Sequence, residues 1–252
     1  MRKSPSQTGK QQFLGRNQVK HVLFCFVCLL FLAHRATAQT ISPVIVEYAE
    51  KADGRFQIYN DGDIPVTVVV EPHSFTVDSK GQATFRKLDP GLRVELSATS
   101  FRVAPKQTYY VFYKATTETY PNWFCIYATV TGPTTPTGLK LALELPHTVY
   151  LLGHKSLEES HLSWNKSELT VNGGKRQITA QVENHGAEYG RVEEVDVISS
   201  SGKQAFAGFP LFPGQRRDIE IDWDQPGVPQ QIVLKFPHFK MESGLKEPTV
   251  SQ

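Results

Sequence analysis

The sequence predicts an all-β protein whose antiparallel strands stack into sandwiches. Short runs rich in β-branched and aromatic residues recur along the chain. Clusters of Gly, Asn, Asp and Pro interrupt them about every 8 to 12 residues, and no segment keeps a 3.6-residue apolar period.

Val44-Ile45-Val46 and Phe56-Gln57-Ile58-Tyr59 open the series, and Asn60-Asp61-Gly62-Asp63 turns the chain after them. Ile64 to Val70 is β-branched, with Pro65 near its start, where a missing N–H matters least. Asp78-Ser79-Lys80-Gly81 is a polar turn, and Leu92 to Leu96 alternates. Phe101-Arg102-Val103 enters the turn Ala104-Pro105-Lys106, after which Tyr109 to Tyr113 resumes an extended run. Asn122 to Val130 is apolar and aromatic, and residues 131–138, Thr-Gly-Pro-Thr-Thr-Pro-Thr-Gly, read as a loop. The stretch LKLALEL follows. Residues 39–152 thus form a first domain of about seven strands, the size of one immunoglobulin-like sandwich. Residues 153–160 are polar and charged and read as a linker. The strands Leu162-Ser163-Trp164, Glu168 to Val171, Gln177 to Val182, Val192 to Ile198, Gln204 to Phe209, Asp218 to Ile221 and Gln231 to Phe236 then fill a smaller sandwich over residues 161–240. Asn172-Gly173-Gly174, Asn184-His185-Gly186, Ser201-Gly202 and Pro213-Gly214 turn between them. Residues 241–252 are polar and read as a loose tail.

The first 38 residues read as a secretory signal peptide. A basic start (Arg2, Lys3, Lys10, Arg16, Lys20) precedes the apolar run Val22 to Ala33 and the A-x-A site Ala36-Thr37-Ala38. Without this segment, which carries six of the 27 basic residues and no acid, 21 basic groups face 25 acidic ones. The basic balance of the whole chain therefore belongs to its leader, and nothing suggests a nucleic-acid partner. Cys25 and Cys28 lie inside the apolar run. Cys125 alone remains after it, so the exported chain has no internal disulfide and reads as holding a buried, inert thiol.

Motifs for chemistry are missing. Gly174-Lys175 is followed by Arg176 where a phosphate loop needs Ser or Thr, and Leu169 stands where its first Gly belongs. His73, His147, His154, His161, His185 and His238 have no metal-ligand spacing. No G-x-S-x-G elbow occurs, and the adjacent acids Glu158-Glu159 and Glu193-Glu194 point to opposite faces of extended chain. Asn165-Lys166-Ser167 fits a glycosylation sequon. The sequence reads as neither an enzyme nor a metal or cofactor binder.

In LKLALEL, Leu139, Leu141, Leu143 and Leu145 share one face, with Lys140, Ala142 and Glu144 on the other. A half-buried core strand alternates in the same way. Four unbranched leucines directly after a proline-rich loop suit a face lent to a partner, because an edge strand of this kind invites aggregation unless covered. Burying three of them in a partner is worth about 1.5–3 kcal/mol each before ordering costs. The free protein is then expected to hide the face, by self-capping or dimerising.

Two regions together resemble a family. Phe56-Gln57-Ile58-Tyr59-Asn60-Asp61-Gly62 followed by Ile64-Pro65-Val66, then Phe101 to Gln107, then Leu139 to Leu152 after its loop, resemble the first domain of PapD-like periplasmic pilus chaperones. Trp164, Val182-Glu183-Asn184-His185-Gly186 and Phe212-Pro213-Gly214-Gln215-Arg216-Arg217 resemble the second domain of the branch that assembles spore-coat-type, or sigma, fimbriae. The resemblance implies two immunoglobulin-like β-sandwich domains at an angle, working in the periplasm without cofactor, ATP or small-molecule substrate. Their partners would be pilin subunits and an outer-membrane usher. It implies that Leu139, Leu141 and Leu143, with Leu145 as an extension, form the donor strand that completes a client sandwich lacking one. The family holds the client's terminal carboxylate with an Arg and a Lys. The matching positions here are Ile45 and Thr148, which carry no charge, and Arg55, Lys114 or His147 are the candidates to replace them. Pro146 also removes a ladder donor. The alternative is a secreted two-domain immunoglobulin-like binding or adhesion module with no chaperone role.

Overall fold

The computed structural model describes residues 39–132, 138 and 141–250, with backbone alone for 247–250. The leader with Cys25 and Cys28, most of the proline-rich loop, Leu139, Lys140 and the last two residues lie outside the described residues.

Strands β1 (Gln39–Ser42), β2 (Ile45–Tyr48), β3 (Ala52–Asn60), β4 (Val66–Val77), β5 (Ala83–Arg86), β6 (Leu92–Leu96), β7 (Ser100–Val103), β8 (Thr108–Thr117), β9 (Asn122–Thr131) and β10 (Ala142–Leu151) build the first sandwich. One sheet runs β1-β3-β8-β6. The other runs β2-β10-β9-β4-β5, with β7 also on β4. Alternation sets which side chains meet between the sheets: Phe56 and Ile58 from β3, Val111 and Tyr113 from β8, Phe124 and Ile126 from β9, and Val149 and Leu151 from β10. The first and second strands lie on different sheets, so the chain crosses from one layer to the other between Ser42 and Ile45. All pairings in this sandwich are antiparallel except β2 with β10.

The second sandwich holds β11 (Leu162–Asn172), β12 (Lys175–Asn184), β13 (Gly190–Ser199), β14 (Gly202–Leu211), β15 (Arg216–Trp223), β16 (Pro229–Lys235), β17 (Lys240–Gly244) and β18 (Lys246–Val250), in sheets β15-β12-β11-β18 and β14-β13-β16-β17. Leu162-Ser163-Trp164 and Glu168 to Val171 form one strand, not two. A bulge between Trp164 and Lys166 breaks its alternation and hides its continuity in the sequence. The hairpin at Asn172 to Lys175 turns through Gly173 and Gly174 at positive φ, which only glycine adopts without strain. The tail expected at 241–252 is instead strand as far as Val250. β17 pairs with β16, burying Met241, and β18 adds in parallel to β11. Edge strands owe their place to backbone pairing, so polar side chains gave no sign of them.

Both domains are pinned by the same device. The buried Asn60 side chain donates to the Ile64 and Val103 carbonyls at 2.8 and 3.2 Å and accepts from the Gly62 amide at 3.0 Å. Asn184 donates to the carbonyls of Glu188 and Phe212 at 2.8 and 3.1 Å and accepts from Gly186 at 2.9 Å. Each asparagine satisfies backbone groups that a turn leaves open. Asn60→Ala is expected to cost about 3 kcal/mol, since the orphaned groups keep their desolvation penalty. A urea titration against the parent chain measures it.

The two sandwiches meet through an aromatic cluster. Phe212 lies 4.5 Å from the Trp123 ring, 5.6 Å from Tyr189 and 6.2 Å from Phe75 and Tyr150, centroid to centroid. Around it, Gln215 donates to the carbonyls of Val77 and Asp78, the Asp218 carboxylate accepts from the Ser79 hydroxyl at 2.6 Å, and Arg191 pairs with Glu47 at 2.6 Å. Cys125 is sealed in the same cluster, and burial pushes its thiol up to about 11, as an inert cysteine requires.

Candidate functional site

Strand β10 is buried at one end and bare at the other. It pairs with β9 in one unbroken register from Ala142 to Leu151. On its second edge β2 covers only Thr148 to Leu151, and among the described residues Ala142 to His147 have no strand partner there. The odd-numbered side chains form a single inward stripe. Leu151, Val149 and His147 lie wholly inside, Leu145 is half-buried against the same core, Leu143 is 43% exposed and Leu141 68% exposed. The leucine face is thus the core stripe of this domain continued past its covered end. The even-numbered side chains face outward: Glu144 and Pro146 lie in solvent, and Tyr150 meets the second domain.

His147 closes the covered end. Its Nδ1 lies 2.6 Å from the Pro43 carbonyl oxygen, which can only accept, so Nδ1 carries the proton and donates. Nε2, 3.0 Å from Tyr113 Oη, therefore accepts from that hydroxyl. The Tyr48 hydroxyl, 3.1 Å further on, completes the chain. The imidazole stacks on Phe56 at 4.9 Å. Gly54 makes room for the network, because a Cβ there would collide with the hydroxyls of Tyr48 and Tyr113. Burial lowers the His147 pKa, opposed by the bond to the Pro43 carbonyl, and burial raises that of Tyr113.

No family model and no curated protein matches the sequence. The crystal structure of the YadV chaperone is similar, with a TM-score of 0.51 at 13% identity, over 82% of this chain and 99% of that one. The chain has the fold of that structure, with its strands stacked in two immunoglobulin-like β-sandwiches. The SafB chaperone of Salmonella enterica, solved with the SafA pilin, gives 0.48 at 14% identity over 84% and 99% of the two chains. The class 5 fimbriae chaperone CfaA gives 0.47 at 11% over 83% and 99%.

In this fold β10 is the last strand of the first domain, and Ile45 and Thr148 stand opposite each other in the β2–β10 register. The three candidate replacements for their missing charge fare differently. His147 is fully buried with both ring nitrogens engaged, so it is withdrawn as a group for a client carboxylate. A neutral core imidazole and a surface one look alike in sequence. Lys114 lies on the outer face of the other sheet, between its register partners Asp53 and Glu95. Arg55 lies on that face too, its guanidinium 5.4 Å from the Tyr110 ring, and borders a depression with Ser42 and Pro43 at the layer crossing. Among the described residues no group of His, Cys, Asp or Glu is placed to hold a metal ion. The Glu47–Arg191 pair between the domains had no signal in the sequence, since neither residue stands in a motif.

Proposed function

We propose that this protein is a periplasmic chaperone for pilus subunits in chaperone–usher assembly, and that it binds clients by lending them the strand Leu139 to Leu145. One observation carries this reading: a strand whose open edge coincides with bare leucines on its core face. A client sandwich missing one strand offers the complement, an unpaired backbone edge beside an apolar groove. Ladder bonds to the edge hold the client, and Leu141 and Leu143 fill its groove. The chemistry is binding alone, with no cofactor. The leader at residues 1–38 would deliver the chain to the periplasm, and an outer-membrane usher would take the loaded complex onward.

Co-expression with a pilin subunit, followed by copurification, tests the reading. A stable one-to-one complex is expected. A chain that captures no pilin and lacks usher and pilin genes nearby is the binding module instead. The uncharged pair Ile45 and Thr148 gives a second prediction. A synthetic peptide of the client's last strand is expected to bind equally well with a free or an amidated C-terminus. A loss above about tenfold on amidation, roughly 1.4 kcal/mol, would mean that a cation such as Arg55 holds the carboxylate.

A further inference from the structure

Thr148 and Leu152 donate their backbone N–H groups toward β2, to the carbonyls of Val44 and Tyr48. Successive residues of a strand present N–H and C=O to opposite edges, so every second residue of β10 faces this side. The register of β10 on β9 has no break. Ala142, Glu144 and residue 146 therefore face the open edge, while Leu143, Leu145 and His147 are turned toward β9.

Residue 146 is proline. Its missing N–H takes nothing from the β9 ladder, as a proline at a sheet edge must not. It falls instead where the β2–β10 ladder would add its next rung. With Val44 bonded to Thr148, and Tyr48 to Leu152, that rung would join the amide of residue 146 to the carbonyl of Ser42. Ser42 pairs with Gln57 on β3, and the Pro43 carbonyl is taken by the His147 ring. The chain leaves this sheet at the point where the ladder has no donor.

We infer that Pro146 is the stop that keeps the Ala142–Glu144 edge open, and that a bound client strand pairs with Ala142 and Glu144 and ends there. The second half rests on the strand-lending reading above, and the first does not. Without the stop, the protein's own N-terminal segment could continue along β10 and occupy the edge it is meant to offer. Proline at an edge is a recurrent way to prevent such pairing.

The test is Pro146→Ala in the full chain. Pro146 is exposed, so the variant is expected to fold. The substitution gives position 146 a backbone N–H. In the free protein, hydrogen exchange followed by NMR is expected to show this new amide at least tenfold slower than the Ala142 and Glu144 amides, because it closes the rung to Ser42. Pilin copurification is expected to fall several-fold. A new amide that exchanges as fast as that of Ala142 overturns the stop. The reverse variant, Ala142→Pro, removes a donor from the open edge and is expected to weaken capture with no change in unfolding midpoint. Undiminished capture by Ala142→Pro overturns the assigned client register. Because exchange in the free chain needs no client, a failed stop and a failed strand-lending reading give separate results.

Discussion

Replacing Leu141 and Leu143 together by glutamate is expected to abolish pilin capture while leaving the thermal midpoint of the protein unchanged. The two halves of this result have different causes. In the free chain both side chains are exposed, so their loss removes little buried surface. In a complex each leucine would be fully covered, a contribution of about 1.5–3 kcal/mol each. Losing both amounts to a drop of at least a hundredfold in affinity, since each 1.4 kcal/mol is about tenfold. The glutamates add the cost of taking two carboxylates into an apolar groove without partners. Copurification with a pilin and differential scanning calorimetry read the two halves separately. Capture that survives both substitutions refutes the donor strand. Unfolding of the variant would place the leucines in this domain's own core. Leu145→Glu is not equivalent, because Leu145 packs against that core and its replacement is expected to destabilise the free chain.

The second large effect concerns His147. Burial lowers its pKa below the ordinary 6.5, so the folded chain binds fewer protons here than the unfolded one. Stability from this group is complete above pH 6.5, where both states are neutral. It declines as pH falls from 6.5 toward the lowered folded value, by at most about 1.4 kcal/mol per pH unit. The carboxylates with depressed values, Asp196 and Asp218 from 3.8 and Glu183 and Glu242 from 4.5, lose their contribution in a lower range. His147→Phe keeps the stack on Phe56 but leaves the Pro43 carbonyl and the Tyr113 hydroxyl without this partner. It is expected to cost about 2–4 kcal/mol at neutral pH and to remove the decline between pH 6.5 and 5. Urea midpoints of both proteins at pH 7.5 and 5.5 test this. Equal midpoints for the parent at the two pH values, or an unchanged decline in the variant, would show that His147 is not the titrating group.

Much of the architecture was legible in local pattern. Asn60-Asp61-Gly62 and Asn184-His185-Gly186 announced their turns, because Asn and Gly satisfy backbone groups that a reversal exposes. The run Phe124-Cys125-Ile126 announced a strand buried on both faces. The bulge in β11 and the edge strands β17 and β18 were not legible, because they depend on pairing with residues far away in the chain. The role of Phe212 as the plug between the domains was invisible for the same reason. Its motif marked a turn, while its ring partners Phe75, Trp123 and Tyr150 come from strands more than sixty residues earlier.

The alternating leucines were set by sequence alone, since the pleat of a strand sends every second side chain to one face whatever lies opposite. Which of them would be covered was decided only by the fold. The stripe from Leu141 to Leu151 is continuous in the sequence, yet it is buried where β2 and the facing sheet reach it and bare where they do not. The same holds for Pro146 and His147, neighbours whose roles follow from direction: one backbone points to an open edge, and the other's side chain points into the core. Coverage and direction belong to long-range pairing, which local periodicity does not encode.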